Sequence, residues 1–215
     1  MSSYLLPVAG ETFRGEHEIK RSRFICLIRR VRDEDEARAF IDATRAEFPD
    51  ARHHCSAFIH HVDDANPVER SSDDGEPSGT AGRPMLEQLK GSGMLDVAAV
   101  VVRYFGGVKL GAGGLVHAYS NAVGDLLPKV PRVRRVRRRL FTFELPHADA
   151  GRVEADLRAL GVTVADVAYG SAVTLTVACD LDGVEGLFTT LAAVTAGAAE
   201  PAEAGTAWVE VPAER

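Results

Sequence analysis

The order of apolar and polar positions divides the first part of the chain into short strands and helices. Residues 12–20 and 23–31 alternate between the two kinds of side chain, which predicts two neighbouring strands. An acidic first turn, followed by apolar residues at helical spacing, predicts a helix over 33–48. Residues 95–105 are almost continuously apolar, which predicts the central strand of a sheet covered on both faces. A further strand and two helices are expected at 54–62, 85–90 and 115–126.

The pattern begins again after residue 139 and gives a second, smaller set of elements. Its predicted order is strand, helix, strand, strand, helix, strand, at 140–145, 148–160, 162–168, 172–179, 181–193 and 208–211. Residues 195–206 form a loose connection in this interpretation. The βαββαβ order is that of a ferredoxin-like fold. A length of 215 residues suits two domains, so we expect an α+β protein with domains at 1–130 and 138–212.

Composition narrows the classes to which the protein can belong. No apolar run approaches the roughly 20 residues that cross a bilayer, and the first ten residues lack the pattern of a secretory signal. The three cysteines, Cys26, Cys55 and Cys179, are far apart and set among apolar or small residues, as free thiols are in a reducing compartment. We therefore expect a cytoplasmic protein with no membrane partner.

Charge is distributed unevenly between the two halves. Residues 1–140 hold 22 Lys and Arg against 19 Asp and Glu, whereas residues 141–215 hold 3 against 12. A basic segment at 129–139 contains no acid and includes Arg134, Arg135, Arg137 and Arg138. It could neutralise several phosphates or serve as a solvated linker between the domains, and the sequence leaves both open. The acidic second half would repel phosphate, so any RNA contact is expected on the first domain and the linker.

A polar loop at 71–84 separates a strand from the helix at 85–90. Its motif residues are Asp73, Asp74, Gly75, Glu76, Pro77, Ser78, Gly79 and Thr80. The three carboxylates could hold Mg²⁺ or act as an acid and base pair. The favoured alternative is a turn stabilised by aspartate that leads into the helix, with Ser78 or Thr80 as the helix cap.

A glycine-rich turn at 106–114 follows the predicted central strand and opens a helix. Glycines here could let the backbone approach an anion, with Arg103 and Lys109 beside it, or could serve tight packing only. The spacing matches neither the Walker A motif nor the dinucleotide fingerprint. The histidines at 53, 54, 60 and 61 adjoin in pairs on one strand, where neighbours point to opposite faces, so no metal site is expected. We predict no catalytic residue and no cofactor.

Two long motifs give a resemblance to a known family. The stretches at 72–84 and 100–116 closely resemble the IMPACT family, bacterial YigZ branch, with support from residues 20–25. The resemblance covers about residues 15–127, and the second domain looks like the small domain appended in YigZ-type proteins. It implies a first domain of the ribosomal-protein-S5 domain 2 type, similar to domain IV of translocating elongation factors, which approaches ribosomal RNA. It also implies a link to translation, which eukaryotic members regulate.

The leading hypothesis is a non-enzymatic, translation-linked protein that binds RNA or a ribosomal surface through its first domain. Arg83, Arg103 and Lys109 would contact phosphates, and close approach would be allowed by Gly106, Gly107, Gly111, Gly113 and Gly114. A second hypothesis is an enzyme that binds phosphate ligands, such as a small-molecule kinase or a nucleotidase, with the loop carboxylates on Mg²⁺. A third is a regulatory module whose ferredoxin-like domain binds another protein.

Overall fold

An antiparallel five-stranded sheet is the framework of the first half of the computed structural model, which describes residues 2–213. The chain divides into one unit of Ser3–Arg134 and another of Arg135–Glu210. The first contains strands β1 (Ser3–Pro7), β2 (Thr12–Ile19), β3 (Ser22–Arg30), β4 (His53–His60), β5 (Val68–Ser72) and β6 (Val97–Tyr104). Its helices are α1 (Glu34–Glu47), α2 (Gly82–Gly91) and α3 (Gly111–Gly124), followed by a 3₁₀ turn at Leu127–Lys129. The order in the sheet is β2-β3-β6-β4-β5.

Strand β6 lies at the centre of this sheet and is covered on both faces, as its sequence predicts. Val97, Ala99 and Val101 pack into a core with residues of α2 and α3, including Met85 and Tyr119. The intervening residues Ala98, Val100 and Val102 pack on the opposite face with Ala37 and Phe40 of α1. Successive side chains of a strand point to opposite faces, so a strand with helices on both sides must be apolar throughout.

Register in the sheet brings three chain segments together at one end of β6. Arg103 lies opposite Phe24 of β3 on one side and opposite His53 of β4 on the other. Helix α3 begins seven residues after the end of β6, and the loop before α2 passes the same end. The residues that the sequence singles out at 73–80 and 103–114 are therefore neighbours in space.

The second unit has the predicted βαββαβ order. Its elements are β7 (Arg132–Leu145), α4 (His147–Ala159), β8 (Thr163–Tyr169), β9 (Val173–Cys179), α5 (Val184–Thr195) and β10 (Ala202–Pro212). Strand β9 pairs with both β7 and β8, and β10 pairs with β7. The two helices supply Val153, Leu157, Leu187 and Leu191 to one apolar core. The α+β class with two domains is confirmed.

Several expectations about boundaries were wrong. The basic segment is the first part of the long strand β7 and is not a linker without regular structure. Residues 202–206 of the expected loose connection belong to β10. Strands β1 and β5 were not predicted at all. Helix α1 does begin as expected, with the Asp33 carboxylate accepting a hydrogen bond from the Glu36 N–H at 2.8 Å.

All three cysteines are free thiols, with Cys26 and Cys55 buried and Cys179 partly buried. Among the described residues, no helix has the length and apolar character needed to span a membrane.

Candidate functional site

A buried ion pair lies under the end of β6. Arg103 Nη1 donates to Glu76 Oε1 at 2.6 Å, and the exposed fractions of the two side chains are 7% and 4%. The Tyr119 hydroxyl donates to the same oxygen at 2.8 Å. Burial, reinforced by the nearby Cys55 thiol and the Glu76 carboxylate, raises the pKa of Tyr119 far above its usual value, so the hydroxyl remains a donor. The charge of Glu76 is thus matched inside the protein.

The first aspartate of the motif loop caps helix α2 from a distance. Asp73 Oδ1 accepts hydrogen bonds from the N–H groups of Ala81 and Gly82 at 3.0 and 2.8 Å, and Oδ2 accepts one from Gly79 at 2.8 Å. Partial burial alone would raise the pKa of Asp73, but these three backbone donors outweigh it and lower the pKa below its ordinary value. The expected cap by Ser78 or Thr80 was wrong, since Ala81 is the cap residue and the Thr80 hydroxyl donates to the Pro77 carbonyl.

The second aspartate ties the loop to the strand beside it. Asp74 accepts hydrogen bonds from Arg45 Nη2 at 3.0 Å and from the His54 N–H at 2.6 Å. Its own carbonyl lies 2.8 Å from His53 Nδ1. Asp74 and Gly75 both have positive φ, 42° and 84°, a backbone that Asp tolerates better than most residues. All three motif carboxylates are therefore committed to donors within the protein.

An open cavity of about 420 Å³ lies above the buried pair. It lies between the end of β6, the start of β4, the motif loop and the first turn of α3, and its lining includes Arg52, His53, Arg103, Phe105, Lys109 and Gly111. Arg52 and Lys109 are exposed, and neither has an ion-pair partner among residues 2–213. Helix α3 has no side-chain cap, because Leu110 occupies that position, so no side chain of the cap residue satisfies its first N–H groups. The cavity is suited to an anion.

Comparison with known proteins identifies the family. The Impact N-terminal domain matches residues 20–127, which is half of the chain, and a domain of unknown function, DUF1949, matches residues 143–198. The chain is 42% identical over 178 residues to the IMPACT family member YigZ of Escherichia coli (strain K12), covering 83% of this chain and 86% of that protein. This protein belongs to the IMPACT family.

Two further similarities cover most of the chain. IMPACT family member YvyE of Bacillus subtilis (strain 168) is 42% identical over 157 residues, 72% of this chain and 71% of that protein. A crystal structure of a hypothetical protein is 38% identical with a TM-score of 0.63, and the match covers 94% of this chain and 97% of that one. The family resemblance and the two-domain fold are thereby confirmed.

The three predicted cations of this IMPACT domain lie in different environments. Lys109 is exposed at the cavity, whereas the guanidinium of Arg103 is buried below it against Glu76. Arg83 is exposed on α2 and is not part of the cavity lining. Arg52 and Phe105 were not predicted, although both adjoin residues that were discussed. For Phe105 the sequence offered one signal, an aromatic residue close behind a cation at the end of a predicted strand.

The predicted glycines also fall into different groups. A Cβ on Gly106 would lie 2.0 Å from the backbone carbonyl of Arg21, so this residue serves packing. Gly107 and Gly111 have φ of 86° and 75°, which other residues rarely adopt. A Cβ on Gly114 would approach that of Leu110 to 3.0 Å, whereas one on Gly113 would meet nothing within 4 Å. Packing and backbone conformation thus account for the others but not for Gly113.

The arginines of the basic segment make contacts within the unit to which each belongs. Arg138 donates to Thr163 Oγ1 at 3.0 Å and lies 3.4 Å from the Asp180 carboxylate, and Arg137 donates to Thr206 Oγ1 at 3.3 Å. The Arg135 guanidinium lies over the Trp208 ring at 5.9 Å. Arg134 donates to Ser3 Oγ at 3.5 Å in the first unit. These arginines are only partly exposed, so they are less available to phosphate than Arg52 and Lys109.

The histidines form no metal centre in the part of the chain that the structure describes. His54 Nε2 lies 3.0 Å from the Phe48 carbonyl, while His53 Nδ1 binds the Asp74 carbonyl. No group of three His, Cys, Asp or Glu residues within 2–213 is arranged to hold a metal ion.

Proposed function

We propose that this protein is a non-enzymatic, translation-linked RNA-binding protein whose first domain binds RNA, including the RNA surface of the ribosome, at the cavity. The observation that carries the proposal is the unpaired positive charge of Arg52 and Lys109 beside the uncapped start of α3. The link to translation rests on the resemblance of the first domain to ribosomal-protein-S5 domain 2. Such a role would be carried out in the cytoplasm.

The distribution of charge favours the cavity over other surfaces of the protein as the RNA-binding site. Glu76 is the acidic residue in the cavity lining, and its charge is balanced by Arg103 at 2.6 Å. Arg52 and Lys109 would therefore act on a phosphate without a competing carboxylate in the cavity lining. The second unit carries most of the net negative charge of the chain, which disfavours RNA contact there.

The geometry of the carboxylates supports a binding role over an enzymatic one. A kinase mechanism needs carboxylates that are free to bind Mg²⁺ beside the phosphates. Here Asp73 accepts from three backbone N–H groups, Asp74 from Arg45 and His54, and Glu76 from Arg103 and Tyr119. Their role in this proposal is to hold the loop and the end of β6 in place.

Co-sedimentation with ribosomes and with structured RNA across a salt series tests the proposal. The test variant is Arg52→Ala/Lys109→Ala, and the matched control is Arg29→Ala/Lys90→Ala, which removes the same charge outside the cavity lining. A third variant replaces Arg134, Arg135, Arg137 and Arg138 with Gln, and a fourth is Arg83→Ala. Arg103 is left intact because it is part of the buried pair.

The expected result is salt-sensitive binding that the test variant loses and the control keeps. If both cations neutralise phosphates, the slope of log affinity against log salt should become shallower by about 1.4 to 1.8 in the test variant. Loss only in the Gln variant would move the site to β7. Absence of binding at any salt concentration would refute an RNA-binding role.

A further inference from the structure

An exposed aromatic ring stands at the rim of the cavity. Phe105 is 47% exposed, and among the described residues of the first unit it is the one large hydrophobic side chain with such exposure. The Arg103 guanidinium carbon lies 5.7 Å from its ring centroid and 5.4 Å from that of Phe24. Because Arg103 is fixed by Glu76, the ring of Phe105 is supported from the core of the domain.

A buried donor without a partner lies below that ring. Arg103 Nε has no hydrogen-bond partner in the described part of the chain, although the residue is only 6% exposed and lines the cavity. A buried N–H without an acceptor is costly, so this donor lowers the stability of the domain. The atom is inaccessible to solvent, so Arg103 contributes to the cavity through its pair with Glu76 and its contact with the Phe105 ring, and the exposed cations are the donors that a ligand can reach.

The first turn of α3 leaves room for a ligand to approach the helix backbone closely. Gly113 is exposed, lacks positive φ, and a Cβ there would meet nothing within 4 Å. A glycine inside a helix lowers stability relative to alanine, so neither packing nor backbone conformation explains it. A bound group that contacts the helix backbone would explain it. The volume of about 420 Å³ falls in the range of small-ligand sites.

We infer that the cavity binds one nucleotide unit of single-stranded RNA, with its base stacked on Phe105 and its phosphate held by Lys109, Arg52 and the first N–H groups of α3. This inference rests on the proposed RNA-binding function and names the form of RNA that the site takes. A stacking platform next to cations is how proteins bind unpaired nucleotides, whereas the bases of a duplex are not available to such a ring.

Fluorescence anisotropy with the full chain separates this inference from the broader proposal. The probes are a labelled 12-nucleotide single-stranded RNA, the same strand with abasic positions, a duplex of equal length, and free AMP and ATP as competitors. We expect the intact single strand to bind more tightly than the abasic strand and the duplex. Phe105→Ala should weaken its binding by about 5- to 100-fold, the effect of losing one stacked base.

Two further variants keep the test independent of folding. Gly113→Ala should be at least as stable as the unaltered chain in urea and should still bind the single strand at least 5-fold more weakly. Phe188→Ala, a partly exposed phenylalanine of the second unit, is the matched control and should leave affinity unchanged.

The outcomes distinguish the inference about single-stranded RNA from the broader RNA-binding proposal. Binding of all three RNAs with no effect of Phe105→Ala would overturn this inference while the RNA-binding proposal stands. Free nucleotide that binds as tightly as the oligonucleotide would also overturn it, because the ligand would then be a small molecule. No binding to any RNA would remove both.

Discussion

Breaking the ion pair between Arg103 and Glu76 should destabilise the first domain more than any change at its surface. Arg103→Met leaves the Glu76 carboxylate buried, with the Tyr119 hydroxyl as its one remaining hydrogen-bond donor among the described residues. His53 Nε2 is 4.0 Å away from the same oxygen, too far to replace the guanidinium. Glu76→Gln leaves the complementary problem, a buried guanidinium without a counter-charge.

The expected magnitude follows from burial. Both side chains are less than a tenth exposed, and removing one partner of a buried pair typically costs about 3 to 5 kcal/mol. Domains have roughly 5 to 15 kcal/mol of unfolding free energy in total, so either single variant should come close to unfolding this one. The double variant Arg103→Met/Glu76→Gln has no buried charge, and it should recover at least about 2 kcal/mol relative to the sum of the two.

Urea unfolding by circular dichroism measures these values, with hydrogen exchange of the β6 amides to report on the first unit alone. The control is Arg14→Met, because Arg14 pairs with Glu47 at 2.7 Å but the two side chains are 51% and 43% exposed. It should cost less than about 1 kcal/mol. Equal costs for Arg103→Met and Arg14→Met, or strict additivity in the cycle, would refute a buried pair of this strength.

Three other predictions concern residues that hold the candidate site in place. Gly106→Ala should prevent stable folding, since the new Cβ would meet the Arg21 backbone at 2.0 Å, and unchanged urea unfolding would contradict that packing. Asp73→Asn should lower stability at pH 7 by about 1 to 2 kcal/mol. Because the pKa of Asp73 is lowered in the folded state, its contribution is fully present above pH about 4 and is lost as pH falls through the lowered pKa, so the difference between the variant and the unaltered chain should shrink as pH falls below about 4. Burial raises the pKa of the Cys55 thiol to about 12, so it should resist alkylation at pH 8 until urea unfolds the protein, and rapid labelling would contradict this.

Most elements with a strong apolar pattern could be predicted, whereas β5, the first part of β7 and the start of β10 lack such a pattern for physical reasons. Strand β5 lies at the edge of its sheet and is mostly exposed, so its sequence has no buried face to show. The first part of β7 is rich in arginine, yet its side chains are half-buried because their long stems can cover apolar surface. Strand β10 begins with small and acidic residues that are exposed. In each case pairing by backbone hydrogen bonds, which the side-chain pattern does not record, determines the strand.

The candidate site could be predicted as two motifs but not as an arrangement. The glycine-rich turn and the polar loop do meet at the end of β6, where Lys109 remains an exposed cation. The pairing of Arg103 with Glu76 spans 27 residues of sequence and depends on the register of β6, so charge alone did not reveal it. Arg52 and Phe105 belong to the site through the same register, which sets the start of β4 beside the end of β6.

The hydrogen-bond partners of the three motif carboxylates determine the net charge that the cavity presents. Counted along the sequence, the three carboxylates Asp73, Asp74 and Glu76 outnumber the two cations of the neighbouring turn, Arg103 and Lys109. In the structure each of them points to a donor inside the domain, and only Arg52 and Lys109 present unbalanced charge to the cavity. Under the proposed function, a loop rich in acid thus shapes a surface for phosphate. Asp74→Asn tests this separation of roles, because it should loosen the loop at Arg45 without making the cavity more attractive to RNA.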